Sequence, residues 1–249
     1  CHTHEGWAYS HSSTSHDMKH TSVLCRLLCG LMLFPFLACR EEGLDSDVVM
    51  PLTDIVTYTG NRDGHAEFTL IKVDDTPELL LTADAPLNVD SERVPGRMLI
   101  TYIPESGRPY ESGPIRLLGA SLINFAPVRT EWRDEYDRWD ADGVYLYSMW
   151  RSGTYVNLHV RLTYSTDPRL FCLVADPSTL EQPVPDLYLV HALQKPVDNH
   201  DRAYYASFDL SPVWNSPSVE GVRIHVANTN LDKHIFTFTK NGASGNDAN

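Results

Sequence analysis

The stretch Val144-Tyr-Leu-Tyr-Ser-Met-Trp150, Arg151-Ser152-Gly153, Thr154-Tyr-Val-Asn-Leu-His-Val-Arg-Leu-Thr-Tyr164 decides the fold class. Two runs rich in β-branched and aromatic residues flank a short segment holding a glycine, the pattern of a β-hairpin. In the second run Val156, Leu158, Val160 and Leu162 alternate with Asn157, His159 and Arg161. Successive side chains on a strand point to opposite faces, so the first set faces a core and the second forms a polar face. By the same parity Tyr145, Tyr147 and Met149 share one face of the first run, opposite Val144, Leu146, Ser148 and Trp150, and Trp150 is expected in the core.

The scheme repeats outward from this hairpin. Val222, Ile224 and Val226 oppose Arg223 and His225, and Phe236 with Phe238 supplies another apolar face. Further strands are expected at 55–59, 67–73, 98–104, 115–125, 169–174, 187–193 and 203–209. Asp63-Gly64, Ser106-Gly107, Asp142-Gly143 and Glu220-Gly221 punctuate these runs, each with a glycine that takes positive φ cheaply. Segments 74–96 and 194–202 are expected as the longest loops, because Pro77, Pro86, Pro95 and Pro196 lack the N–H that a ladder needs. No amphipathic helix longer than two turns is visible, so the body is all β. A charged, Trp-rich connection at 127–143 divides the runs into a small N-terminal barrel and a C-terminal β-sandwich.

Composition limits the partners. Apolar residues make up 42% and charged ones 21% of the 249 residues, enough to build a core along most of the chain. The net charge of −13 repels phosphate backbones, and no basic stripe interleaved with aromatics is present, so no nucleic acid is expected as a partner. Four of the five cysteines, Cys1, Cys25, Cys29 and Cys39, lie in the first 39 residues, where their spacing supports neither a zinc site nor a disulfide framework. Cys172, between Phe171 and Leu173, reads as a buried thiol.

Residues 18–39 follow the grammar of secretion: Lys19, His20 and Arg26 form a positive end, and Leu27 to Leu37 an apolar segment. That segment is shorter than the ~20 residues a spanning helix needs. Its ending, Phe36-Leu37-Ala38-Cys39, resembles the lipobox of bacterial lipoproteins, which implies lipid attachment at Cys39 and departs from it in having Phe36 where leucine is usual. Residues 1–17 lack hydrophobic periodicity and read as an over-long translation start. Arg40-Glu41-Glu42 looks like the acidic signal with which Bacteroidetes place lipoproteins on the outer face; orientation toward the periplasm is the alternative.

No motif carries chemistry. Glu131, Asp134, Glu135, Asp137, Asp140 and Asp142 crowd the connection, but their spacing fails a calcium loop, and a solvated segment with Arg133 and Arg138 pairing some of them is expected. The knot Asp198-Asn199-His200-Asp201 reads as a turn rather than a metal site. No serine sits in a Gly-x-Ser-x-Gly frame, so neither catalytic residues nor a cofactor is assigned, and the chain is expected not to be an enzyme. Trp132, Trp139, Tyr136, Tyr145 and Tyr147 are the candidates for contact with a glycan or a protein partner of the envelope.

Three segments carry a family resemblance: Val94-Pro-Gly-Arg-Met-Leu-Ile-Thr-Tyr102, Met149-Trp-Arg-Ser-Gly-Thr-Tyr-Val-Asn-Leu158 and Phe208-Asp-Leu-Ser211. Together they resemble the NigD-like lipoproteins of Bacteroidetes over roughly residues 39–240. The resemblance implies an OB-like barrel, a β-sandwich and an envelope location, with no established catalytic chemistry. The chain is accordingly divided into an upstream extension and signal peptide (1–38), a lipidated tether (39–52), an OB-like barrel (53–126), a sandwich (127–240) and a flexible tail (241–249). The expected role is a membrane-anchored outer-membrane lipoprotein that binds or assists without catalysis. Immunity to a bacteriocin, with envelope protection, and polymer hydrolysis remain as alternatives.

Overall fold

The computed structural model describes residues 50–165, 169–194 and 200–240. Cys39 with the signal segment, the upstream extension and the tail at 241–249 lie outside the described residues. Among the described residues the strands are β1 (Leu52–Arg62), β2 (His65–Leu70), β3 (Leu79–Ala83), β4 (Gly96–Pro104), β5 (Gly113–Leu122), β6 (Asn124–Pro127), β7 (Tyr145–Ser152), β8 (Tyr155–Thr163), β9 (Leu170–Ala175), β10 (Asp186–Ala192), β11 (Asp201–Asp209), β12 (Gly221–Val226) and β13 (Ile235–Thr239). The fold is all β, and no described helix is long and apolar enough to cross a membrane.

The first five strands close into a barrel of order β1-β2-β3-β5-β4. β4 pairs back onto β1, and β3 runs parallel to β5. The β1–β2 hairpin turns through Asp63 (φ 53°) and Gly64 (φ 84°), the pair of positive values that a two-residue turn of the right twist demands. Inward-facing Val56, Phe68, Leu70, Leu81, Ile100, Tyr102 and Ile115 fill the barrel.

β3 corrects the expectation of a long loop at 74–96. Pro77 and Pro86 flank this strand and do not interrupt it, so Leu79–Ala83 keeps every N–H and supplies buried Leu81 and Ala83. Without it the barrel could not close.

Two four-stranded sheets follow, β6-β11-β8-β7 and β13-β12-β10-β9. They share one apolar core in which Val156, Leu158, Val160 and Phe208 of the first meet Leu173, Leu187, Leu189, Val222 and Ile224 of the second. Gly221 is needed here for close approach, not for its φ: a Cβ would lie 2.4 Å from the carbonyl oxygen of Phe238.

β7 departs from strict alternation. Its register against β8 shifts between Leu146 and Ser148, so Tyr147 is an extra residue and parity flips beyond it. Leu146 and Met149 therefore both face the core, and Trp150 turns outward opposite Asn157. The expectation that Trp150 is a core residue is overturned for this reason.

The outward residues of β8 are not a solvated face either, because the barrel packs on part of them and Asn157 is fully buried. On the second sheet, the 127–143 connection covers the outer face: Tyr136 packs onto Cys172, Val174 and Val190, with Trp132 and Trp139 beside it. Phe208 touches the shared core from the middle of the first sheet, so Phe208→Ala is expected to cost about 3–5 kcal/mol. Urea denaturation should show a lower midpoint with an unchanged slope.

Candidate binding site at the joint between barrel and sheet

Arg97 projects from β4 out of the barrel onto the first sheet, where it is buried. Its Nε donates to Ser207 Oγ (3.0 Å), Nη1 to Thr57 Oγ1 (2.9 Å) and Nη2 to Asn157 Oδ1 (2.9 Å). The guanidinium lies 4.3 Å from the centre of the Tyr155 ring. Ser207 Oγ also donates to Asn157 Oδ1 (2.9 Å), and Asn157 Nδ2 donates to Ser152 Oγ (3.0 Å), so the cation is held by a connected neutral network. Burial pushes the Arg97 pKa down to about 10, which leaves it charged at neutral pH.

A second buried arginine ties the barrel side to the β7–β8 turn. Arg151 of β7 grips Asp75, which follows β2, through Nη1 to Oδ1 (2.7 Å) and Nη2 to Oδ2 (2.8 Å). Asp74 joins the β7–β8 turn by backbone, its N–H donating to Arg151 O (2.7 Å) and its carbonyl accepting from Gly153 N (2.6 Å). The hydrogen bond from Arg151, opposed by burial, holds the Asp75 carboxyl below its ordinary range.

Where the barrel meets the first sheet a cleft of about 450 Å³ opens, within the usual range for small-molecule sites. Asp54, Leu70, Lys72 and Leu99 line its barrel side; Ser148, Trp150, His159 and Tyr205 line its sheet side. The His159 ring stacks on Tyr205 (4.3 Å between centres, 8°) and lies 4.5 Å from Tyr147. Burial pushes the His159 pKa down, so a neutral imidazole faces the cleft at pH 7. Buried Asp54 accepts from Lys72 Nζ and from the Tyr102 hydroxyl (3.1 Å). Although burial pulls the Lys72 ammonium down, its bond to Asp54 and the nearby Tyr110 hold it above its ordinary value. A polar ion pair thus stands opposite an aromatic wall.

The residues singled out from sequence fall into two groups. Tyr145 and Tyr147 lie on the outer face of the first sheet, where Tyr147 continues the His159–Tyr205 column and Arg161 sits 4.1 Å from the Tyr145 ring. Trp132, Trp139 and Tyr136 gather over the second sheet. Tyr136 is 0% exposed and serves as packing, which withdraws it from direct contact with a ligand. The sequence does not single out Tyr205, Asp54 or Lys72, and it assigns Trp150 to the core, although Tyr205 shows its outward position by lying between the core-facing Tyr204 and Ala206.

Cys172 is buried and unpaired, and burial pushes its thiol up. Asp198 and Asn199 lie outside the described residues, while His200 stacks on Tyr164. Among the described residues no group of three or more His, Cys, Asp or Glu could hold a metal ion.

Two outcomes test this geometry. Asn157→Leu strips the buried guanidinium of an acceptor and should cost about 2–3 kcal/mol. Adding Arg97→Met should recover part of that loss in a double-mutant cycle. For Asp75 the folded pKa is depressed, so its contribution is complete above the unfolded value of about 3.9 and is lost as pH falls through the folded value. Asp75→Asn should therefore be less stable than the parent at pH 7 and lose less stability on acidification, as measured by denaturation at a series of pH values.

No family model and no curated protein matches the chain. Solved structures do. A protein of unknown function from Bacteroides vulgatus matches with a TM-score of 0.58 at 17% identity, over 80% of this chain and 95% of its own. A NigD-like immunity protein from Bacteroides caccae matches at 0.53 and 18%, over 75% and 91%. A candidate lipoprotein from Bacteroides fragilis matches at 0.51 and 14%, over 76% and 96%. The all-β body built around the two arginine clamps therefore has the NigD-like fold.

Proposed function

We propose that the protein is a lipid-anchored binding or accessory protein of the bacterial envelope that works without catalysis. In this reading Cys39 carries the acyl chains, the outer membrane holds the protein with its body at the cell surface, and the barrel is of the OB type joined to a β-sandwich. The barrel–sheet cleft holds the ligand. The observation that carries the reading is the placement of Trp150, His159 and Tyr205 opposite the Asp54–Lys72 pair.

Aromatic rings offer flat apolar contact and the ion pair offers a fixed donor and acceptor. Such a cleft suits a neutral, hydroxyl-rich ligand such as a glycan of the envelope or its surroundings. The likeness to a candidate lipoprotein supports the anchored address. The likeness to a NigD-like immunity protein supports a second reading, in which the same cleft engages a component of an antibacterial system.

Retention on a panel of immobilised polysaccharides tests the first reading. Trp150→Ala with Tyr205→Ala should weaken retention at least tenfold, in line with about 1 kcal/mol or more for each lost aromatic contact. A Trp132→Ala, Trp139→Ala variant should retain the same polymer. The reverse pattern would refute the cleft as the site, and turnover of any bound polymer would refute the noncatalytic assignment.

A further inference from the structure

The outer face of the second sheet carries a separate pocket of about 360 Å³, lined by Trp132, Asp137, Trp139, Asp176 and Tyr188. Two of its three rings are held by directed contacts. Tyr188 of β10 stacks on His225 of β12 (4.5 Å between centres, 11°). His225 Nε2 and Arg223 Nε both contact Asp186 Oδ1 (2.8 Å each). Trp132 Nε1 donates to Asp137 Oδ1 (2.8 Å), which sets its indole. Asp176 Oδ1 accepts from Ser178 N (2.9 Å) and Ser178 Oγ (2.7 Å).

The rings do not form a flat platform. Trp132 meets Tyr188 at 86° and 5.6 Å, and Trp139 meets it at 65° and 5.0 Å. Both indoles stand steeply to the Tyr188 ring, which stacks on His225, so the three rings make a corner and not a stack. Two carboxylates border that corner, no basic residue lines it, and neither carboxylate is ion-paired with a described side chain. Electron-rich ring faces and uncompensated negative charge attract the same kind of guest, a compact organic cation. A sugar ring, by contrast, gains most from one broad flat ring.

We infer that this corner is a binding site for an alkylated ammonium group, distinct from the barrel–sheet cleft. The ring faces contact the methyl groups, whose carbon-bound hydrogens carry the positive charge outward, and Asp137 and Asp176 supply the counter-charge. Tyr136 and the small core beneath it fix the floor, which explains why the charged connection folds down onto the second sheet.

Calorimetric titration with choline, beside its uncharged carbon isostere 3,3-dimethylbutan-1-ol, tests the assignment on the folded protein. Choline should bind at least about tenfold more tightly than the isostere, since that preference comes from charge at equal size and shape. The Asp137→Asn, Asp176→Asn variant keeps an accepting oxygen for Trp132 and for Ser178, so it should fold; it should lose most of the preference for choline. Trp139→Leu should weaken choline binding further. Flotation with phosphatidylcholine vesicles, with and without free choline as competitor, tells a lipid headgroup from a free amine as the source. Equal affinity for choline and the isostere, no choline binding, or an unchanged preference in the double Asn variant would each overturn the assignment. The Trp150 and Tyr205 side chains are untouched throughout, so these outcomes are independent of the cleft.

Discussion

A charged guanidinium buried between two β modules is the constraint on which the rest depends. Arg97 leaves the barrel surface and finds its acceptors on Thr57, Asn157 and Ser207. Removing that cation from water is costly, and the cost is offset only while all three acceptors stay in place. Separation of the barrel from the sheet would strip the cation of Asn157 and Ser207 at once and leave it only Thr57 of the barrel's own β1. Arg151, bound through both Nη atoms to Asp75, imposes the same condition at the β7–β8 turn. The cleft has one wall from the barrel and one from the first sheet, so its width depends on how the two modules are held together and not on either alone.

The three segments that carry the family resemblance meet at this joint. Arg97 lies in the first, Arg151, Ser152, Tyr155 and Asn157 lie in the second, and Phe208 of the third adjoins Ser207. Residues far apart in the chain share one polar network, and the aromatic wall of the cleft stands in the neighbouring rows of the same sheet face. The second sheet has its own covering, the Trp-rich connection, and its own aromatic corner. The two outer sheet faces are thus put to different uses: one docks a barrel and the other is roofed by a loop.

Much of the body was legible because alternation is a local signal. Val156 to Leu162 reveal which side of β8 faces the core, and Asp63-Gly64 marks the β1–β2 turn by residue type. What covers the other side of β8 is not local, so the sequence places Asn157 on the polar face without showing that it lies buried under Arg97. β7 misled because one extra residue at Tyr147 reverses parity, and no residue type there announces a bulge. β3 was hidden by the prolines at its ends. Of the candidate contacts, Trp132 and Trp139 could be recognised as an aromatic cluster from their shared segment. Their separation from Tyr145 and Tyr147 depends on which sheet each segment covers, and the cleft joins Asp54 and Lys72 to Trp150 and Tyr205 only through tertiary folding.

Hydrogen exchange by mass spectrometry on the folded body tests the locking role of the buried arginines most directly. If they bind barrel and sheet into one cooperative unit, amides of β1 and β4 should open with the same free energy as those of β8 and β11. Protection lost first across the barrel, while β8 and β11 stay closed, would contradict the account.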